Sequence, residues 1–374
     1  MRKIEWALLL ALLAAGCARP AAEQANVVVF EKSSKVSALT DVVDHIELVP
    51  LETGRNFLFG LNPMLDLAGD GYVLTDIRTG RILYFGADGA FRAHIGAKGR
   101  GPGEYPMLLN SQVDADGNVI AFSYPDKVLY FGTDGELLRE EHREDLGSQA
   151  CLVPEGLLVY FGYGSGRPDR AALVRPDGRQ KGLLPANDRV INMTPDRSVF
   201  SFYKDTVYFT DTYNPTVYSY KDGEVAANTF FDFGKSAIDA KFYQLDDPYA
   251  SMDFILKAPN GFSLLRRYLR DDRYQFVEEI FQKNEEGEYH YGVCVDGNWG
   301  WFSLGETFRS PLAGAMQALS GGCLYFLMDS SCLAGKDHGL GGNLAPLREL
   351  ISNPEVLEKV GPDDNPVVAK FYLD

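Results

Sequence analysis

Ile82-Leu83-Tyr84-Phe85-Gly86-Ala87-Asp88-Gly89 recurs as Val128-Leu129-Tyr130-Phe131-Gly132-Thr133-Asp134-Gly135, with no gap, at a shift of 46 residues. The same shift carries Asp70-Gly71 onto Asp116-Gly117. Two looser copies follow, Leu173-Val174-Arg175-Pro176-Asp177-Gly178 and Val217-Tyr218-Ser219-Tyr220-Lys221-Asp222-Gly223. The Asp-Gly pairs that begin at Asp88, Asp134, Asp177 and Asp222 are therefore spaced 46, 43 and 45 residues apart, the regularity of a structural repeat. Glycine in such a pair supplies the positive φ of a tight hairpin, because it has no side chain to clash there. Val119-Ile120-Ala121-Phe122 and Val128-Leu129-Tyr130-Phe131 are β-branched and aromatic runs of strand length. A helical repeat of similar period would need apolar residues at 3.6-residue spacing, and these segments lack that pattern. A unit of roughly 40 to 50 residues holding about four short strands is a propeller blade. From Leu61 onward the chain divides into about six of them. The predicted fold class is all-β: a six-bladed β-propeller with short helical insertions.

Two segments break the rhythm. Ala237-Ile238-Asp239-Ala240-Lys241-Phe242-Tyr243 reads as helix-like within a lengthened fifth unit. Leu347, Leu350, Ile351 and Leu357 recur at helical spacing between Leu344 and Val360, interrupted at Pro354. Val367 to Leu373 then forms a last strand, and a ring of blades must close or leave open edges. Pairing of that strand with an early one, His45 to Leu51, would close it within one blade.

The chain begins with Arg2 and Lys3, an apolar run from Trp6 to Ala15, and Gly16-Cys17, the layout of a secretory signal. The run is too short to span a bilayer, which takes about 20 apolar residues. Residues 1–16 are thus expected to be a signal peptide, 17–38 a tether and 39–374 the propeller. Val27-Val28-Val29-Phe30 is a candidate first strand inside the tether. Ala14-Ala15-Gly16-Cys17 resembles the bacterial lipobox, which implies acylation of Cys17 and a membrane partner reached through lipid. Leu13 sits one place earlier than the usual lipobox leucine, so cleavage by ordinary signal peptidase is the competing reading.

The formal charge is −16, and loss of the leader, which carries a net +1, makes it near −17. Acid on that scale argues against nucleic acid or anionic lipid as a partner surface. Tyr 20, Phe 23 and Gly 38 against Trp 3 suit strands and turns. Of five cysteines, Cys151, Cys294, Cys323 and Cys332 lie beyond the leader, in a compartment that permits disulfides. A bond between Cys323 and Cys332 across a hairpin is one expectation, and four buried free thiols is the other. No C-x-x-C is present, and five histidines, His45, His94, His142, His290 and His338, are scattered, so no metal or cofactor is expected.

Gly96-Ala97-Lys98-Gly99-Arg100-Gly101-Pro102-Gly103-Glu104-Tyr105, followed by Val113-Asp114-Ala115-Asp116-Gly117-Asn118, resembles the NHL-repeat pattern of Gly-rich loop, strand and Asp-Gly-Asn turn. With Leu39-Thr40-Asp41, Ile46 to Thr53 and Asn365-Pro366-Val367, the frame over residues 39–374 resembles the six-bladed β-propeller lipoproteins of Gram-negative bacteria. That resemblance implies a cell-envelope location, on the periplasmic or the surface side of the outer membrane, and leaves the chemistry open.

Arg100, Glu104 and Tyr105 are the candidate ligand-binding residues, a charge pair and a stacking ring for a sugar or peptide. The alternative is a blade-to-blade crossover whose glycines allow close backbone approach. Asp114 to Asn118 is expected to be a hairpin turn, since the twelfth position of a calcium loop would fall on Pro125. Tyr289-His290-Tyr291-Gly292 and Asn298-Trp299-Gly300-Trp301-Phe302 form an aromatic cluster, expected to be core between blades or else a sugar platform. No catalytic residue is singled out, and no G-x-S-x-G elbow occurs. The expected function is non-enzymatic: a lipid-anchored binding or scaffold protein for a glycan, peptide or envelope partner. The alternative is a propeller hydrolase or lyase acting on polysaccharide, which needs carboxylates or metal-bound histidines converging on the central channel.

Overall fold

The computed structural model describes residues 25–32, 36–60, 63–193, 195, 197–258, 260–283, 286–303, 310–312, 314 and 316–374. The leader and Cys17 lie outside the described residues. Six four-stranded antiparallel units form the predicted propeller. From the centre outward, blade 1 is Met64–Ala68, Gly71–Asp76, Arg81–Phe85 and Phe91–His94. Blade 2 is Met107–Val113, Val119–Tyr124, Lys127–Phe131 and Leu137–His142, and blade 3 is Gln149–Val153, Gly156–Tyr160, Asp169–Val174 and Gln180–Pro185. Blade 4 is Phe200–Tyr203, Thr206–Asp211, Asn214–Lys221 and Glu224–Asp232, and blade 5 is Phe262–Arg270, Tyr274–Lys283, Glu286–Val295 and Asn298–Ser303. Blade 6 joins Met316–Ser320, Cys323–Met328 and Val367–Leu373 to Val43–Pro50.

The middle strands are apolar at consecutive positions because each blade is covered on both sides. Val119 and Ala121 pack towards blade 1, while Ile120 and Phe122 pack towards blade 3. Leu157 and Val159 face blade 2, and Leu158 and Tyr160 face blade 4. A strand buried on both faces reads as an unbroken hydrophobic run. The repeated Asp-Gly pairs all sit at the turn between the third and fourth strands of blades 1 to 4, with Gly89, Gly135, Gly178 and Gly223 at φ of 77° to 86°. Asp296-Gly297 is the equivalent turn of blade 5. In blade 6 the third and fourth strands come from opposite ends of the chain, so no such turn exists there.

Closure follows the expectation. Val43–Pro50 pairs antiparallel with Val367–Leu373, Ile46 opposite Phe371 and Leu48 opposite Ala369. The stretch read as a tether contains an ordered element: Asn26–Val29 adds to blade 4 as a fifth strand, parallel to Glu224–Asp232. Val28 is buried there beside Phe231, while Val27 and Val29 are exposed, the alternation of a strand covering an edge. The fold therefore begins before residue 39.

Up-and-down strands place all first-to-second and third-to-fourth turns on one face of the disc and the remaining connections on the other. The first face is trimmed by short turns. The second is crowned by the long segments: the helix Pro248–Lys257, the helices Ser330–Leu333 and Ala345–Glu349, and the 3-10 turns Ala240–Gln244 and Pro354–Lys359. The helix-like reading of residues 237 to 243 resolves into 3-10 turns ahead of Pro248–Lys257, whose first turn is capped by the Asp247 carboxylate accepting from the Ala250 N–H. Phe242, Ile255, Leu333, Leu344, Leu347 and Leu357 bury the crown against blades 5 and 6.

The six inner strands surround a central channel, and polar side chains stitch every junction. Asn110 Nδ2 donates to Ala150 O at 2.8 Å and the Ala150 N–H donates back at 3.1 Å, joining blades 2 and 3. Gln149 bridges to Arg197 O and the Val199 N–H ahead of blade 4. Arg267 of blade 5 donates to Ser198 O and Phe200 O on one side and to Gln317 O of blade 6 on the other. Gln317 Oε1 accepts from the Leu65 N–H, and Ser111 Oγ donates to Asp66, closing the circuit through blades 6, 1 and 2. Inner strands have one edge without a strand partner, and these side chains satisfy it.

Candidate functional site

The loop that carries Arg100, Glu104 and Tyr105 is the crossover from blade 1 to blade 2. Tyr105 is buried between those blades, its hydroxyl donating to Ile95 O at 3.0 Å, and burial pushes the phenol up to about 12. Glu104 folds back to accept from the Gly101 N–H at 2.7 Å, and Lys127 Nζ donates to the carbonyls of Gly101 and Glu104. Gly96 has φ of 63°, and a Cβ there would lie 2.7 Å from Phe131 and 2.8 Å from Tyr105. Arg100 alone is exposed. Glu104 and Tyr105 fasten the crossover.

The other sequence candidates also resolve into structure. Asp114 Oδ1 accepts from the Asp116 and Asn118 N–H groups, closing the first-to-second turn of blade 2. The aromatic cluster is core: Tyr291, Phe302, His290 and Trp301 are buried, and Trp299 stacks on Trp301 at 5.4 Å. His290 lies between Glu279 at 2.8 Å and Glu288 at 3.3 Å, and burial pushes the Glu279 carboxyl up. The other four histidines sit on separate elements, and among the described residues no group of three His, Cys, Asp or Glu side chains is placed to hold a metal. The Cys323–Cys332 bond is not formed. Cys323 opens the strand Cys323–Met328 and Cys332 lies in the helix beyond its far end, so the strand's own length, about 3.3 Å per residue, separates them. All four thiols are free.

In the arrangement best suited to binding, Tyr289 of the aromatic cluster is the one residue that the sequence reading names as a candidate. A cavity of about 420 Å³ opens at the mouth of the channel on the crowned face. Its lining comes from four parts of the ring. Leu58, Phe59, Gly60 and Pro63 lead into blade 1, Arg197 precedes blade 4, Tyr289 lies in the third strand of blade 5, and Gln317, Asp329 and Pro362 to Asp364 belong to blade 6 and its insertion. Apolar walls from Phe59, Pro311 and Met328 combine with a few polar groups, the usual composition of a small-molecule site. Gly314 has φ of 59°, and a Cβ there would fall 2.6 Å from Arg197 Nη2, so glycine lets this loop close over the guanidinium.

Beneath the cavity lies a buried charge cluster. Arg197 Nε is 3.9 Å from Glu278 Oε1, and both side chains are almost fully buried. Arg267 also feels Glu278, together with Asp66, and burial lowers its guanidinium to about 10. Burial raises the Asp66 carboxyl to about 6, against the opposing pull of Arg267 and the Ser111 hydroxyl. Between blades 3 and 4 the buried charge is engaged: Asp211 accepts from Arg170, Tyr160 and Tyr163. Arg197 differs, since its guanidinium makes no hydrogen bond among the described residues. A reader of the sequence had one signal available: the breaks in the repeat fall on the connections that crown this face, where binding residues concentrate on a rigid scaffold.

Fold and channel together define a six-bladed β-propeller with a cavity at one mouth. Residues 24–372 match the family described as a domain of unknown function, DUF4934, and the chain belongs to that family. No curated protein matches the sequence. The crystal structure of a protein from Bacteroides fragilis NCTC 9343, described as exported, superposes with a TM-score of 0.72 at 17% identity, covering 93% of this chain and 100% of that one. A protein of unknown function from Bacteroides caccae matches with a TM-score of 0.42 at 10% identity, over 70% of this chain and 94% of that one. BamB from Moraxella catarrhalis matches with a TM-score of 0.35 at 8% identity, over 76% and 84%. The first of these likenesses supports the fold. No helix among the described residues is long and apolar enough to cross a membrane.

Proposed function

We propose that this chain is a lipid-anchored protein of the cell envelope, related to the NHL-like propeller lipoproteins, that binds a glycan or peptide partner through the cavity at its channel mouth without transforming it. The observation that carries the reading is that cavity, roofed by the crown and floored by buried polar groups of three blades. The course of the N-terminal strand supports it. Asn26–Val29 runs parallel to Glu224–Asp232, hence from the short-turn side towards the crowned side. That strand therefore starts on the side opposite the cavity face. Eight residues lie between Cys17 and Asn26, and the nine Cα steps give a reach of at most about 30 Å.

The test has two parts. Cys17→Ser should move the protein from the membrane to the soluble fraction, and retention of the variant in membranes would remove the anchor. Full-length protein in detergent should bind a member of a glycan and short-peptide panel saturably. Asp363→Trp, which fills the mouth from an exposed position, should abolish that binding. Turnover of any panel member would favour the hydrolase or lyase reading instead.

A further inference from the structure

Two arginines approach Glu278 from different blades, and they are used differently. Arg267 commits its guanidinium to three carbonyls, Ser198 O at 2.6 Å, Phe200 O at 2.8 Å and Gln317 O at 2.8 Å. Those bonds hold blades 4, 5 and 6 together and leave it no freedom to meet a ligand. Arg197 is 5% exposed and lines the cavity, yet its guanidinium donates to nothing among the described residues. Glu278 at 3.9 Å balances its charge from beyond hydrogen-bonding distance. In the lining of the same cavity, the buried Nε2 of Gln317 also lacks a partner among the described residues, although Gln317 Oε1 is engaged by Leu65. Buried donors left unmade are costly, and five N–H groups in a planar fork match a carboxylate.

The far side of the cavity has the opposite character. Asp329 and Asp364, both part-exposed, and the exposed Asp363 line it there. Asp329 accepts from Ser331 and Asp364 from the Gly361 N–H, so both carboxylates are fixed in place and have further acceptor capacity. A polyanion would be repelled by these carboxylates. A compact molecule with one carboxylate and a body of hydroxyl or ammonium donors would satisfy both sides together.

Building on the binding reading above, we infer that the channel-mouth cavity takes a ligand carrying a single carboxylate, received by Arg197 and Gln317, with hydrogen-bond donors on its far side directed at Asp329 and Asp364. A hexuronic acid and the C-terminal end of a short peptide share this chemistry. The volume of about 420 Å³ admits a molecule of that size.

The experiment is calorimetric titration of the full-length protein with D-galacturonate and D-galactose, and in a second arm with L-alanyl-L-alanine and its C-terminal amide. At least one acid should bind at least tenfold more tightly than its neutral counterpart, and the arm in which this happens names the source. Arg197→Gln should remove the preference while leaving the thermal midpoint within a few degrees, and Arg197→Lys should keep part of it. If Arg197→Gln does not fold, the acid-to-neutral ratio of the unaltered protein decides, and a ratio below threefold overturns the inference. Acid and neutral forms binding alike, with binding still lost in Asp363→Trp, would refute the carboxylate subsite and leave the binding function standing. Absence of saturable binding in both arms, or binding that survives Asp363→Trp, would overturn both.

Discussion

Asn110→Leu tests whether the polar stitching of the channel, rather than apolar packing alone, holds the blades in register. Asn110 is 1% exposed and Ala150 is fully buried, and the two exchange hydrogen bonds of 2.8 and 3.1 Å between blades 2 and 3. Leucine matches asparagine closely in shape but leaves the Ala150 N–H and C=O unpaired. A buried unpaired polar group costs roughly 1 to 3 kcal/mol, so losing two partners should cost about 3 to 4 kcal/mol after the apolar gain of leucine. Asn110→Ala should cost less, about 2 to 3 kcal/mol, because the space vacated is about the size of one water that can bridge both groups. Asn110→Asp keeps the acceptor for the Ala150 N–H but faces a carbonyl with a buried carboxylate, and should be worst of the three at neutral pH. Gln112→Ala is the control: its Oε1 accepts a single bond, 2.8 Å from the Leu152 N–H, at a half-buried site, for a loss near 1 kcal/mol. Equilibrium urea unfolding with tryptophan fluorescence reads all four. If Asn110→Leu proves no more destabilising than Gln112→Ala, the stitches are incidental and packing between blades sets the register.

Arg267→Met should cost roughly 3 to 5 kcal/mol, since it strands three carbonyls and leaves Asp66 and Glu278 facing one fewer cation; a urea midpoint close to that of the unaltered protein would refute this. Asp66 is expected to make stability pH-dependent. Its folded carboxyl titrates near 6, above the ordinary value of 3.8, so the folded chain holds that proton more tightly and stability falls as pH rises from about 4 to 6. The ceiling is about 3 kcal/mol, and solvent screening at this part-exposed residue reduces it to about 1 to 2 kcal/mol. Asp66→Asn should therefore gain on the unaltered protein between pH 4 and pH 7.5, and a constant difference across that range would contradict the assignment. Under native conditions iodoacetamide should label Cys332 before Cys151, Cys294 and Cys323, because burial hides the other three and pushes the Cys323 thiol up to about 11. All four should alkylate in urea without reductant, and a thiol that appears only after reduction would show a disulfide.

Much of the architecture was written locally. Asp88-Gly89, Asp134-Gly135, Asp177-Gly178 and Asp222-Gly223 mark equivalent turns because the hairpin needs a positive φ that the tetrapeptide itself supplies. Val119 to Phe122 is apolar throughout because a blade is covered on both sides, a demand each strand meets with its own residues. Asp296-Gly297 escaped the count because the crowning segment from Gly234 to Lys257 displaces it from the period. Val367–Leu373 and its closing partner were legible since an unpaired edge on a ring is unfavourable and only an early strand could fill it. The strand Asn26–Val29 was legible as a strand but not as part of blade 4, which its few residues cannot specify alone.

The site was decided elsewhere. Arg100, Glu104 and Tyr105 stand together in sequence, yet the crossover needs two of them for its own closure. Arg197, Tyr289 and Gln317 stand far apart and meet because closing the ring brings the starts of different blades to one mouth. The sequence by itself determined the repeat, the number of blades and the strand that closes them, because turn geometry and double-sided burial act over a few neighbouring residues. Only the tertiary structure decided that Arg267 is locked into the ring while Arg197 faces a cavity, because hydrogen-bond partners and desolvation are properties of the assembled channel.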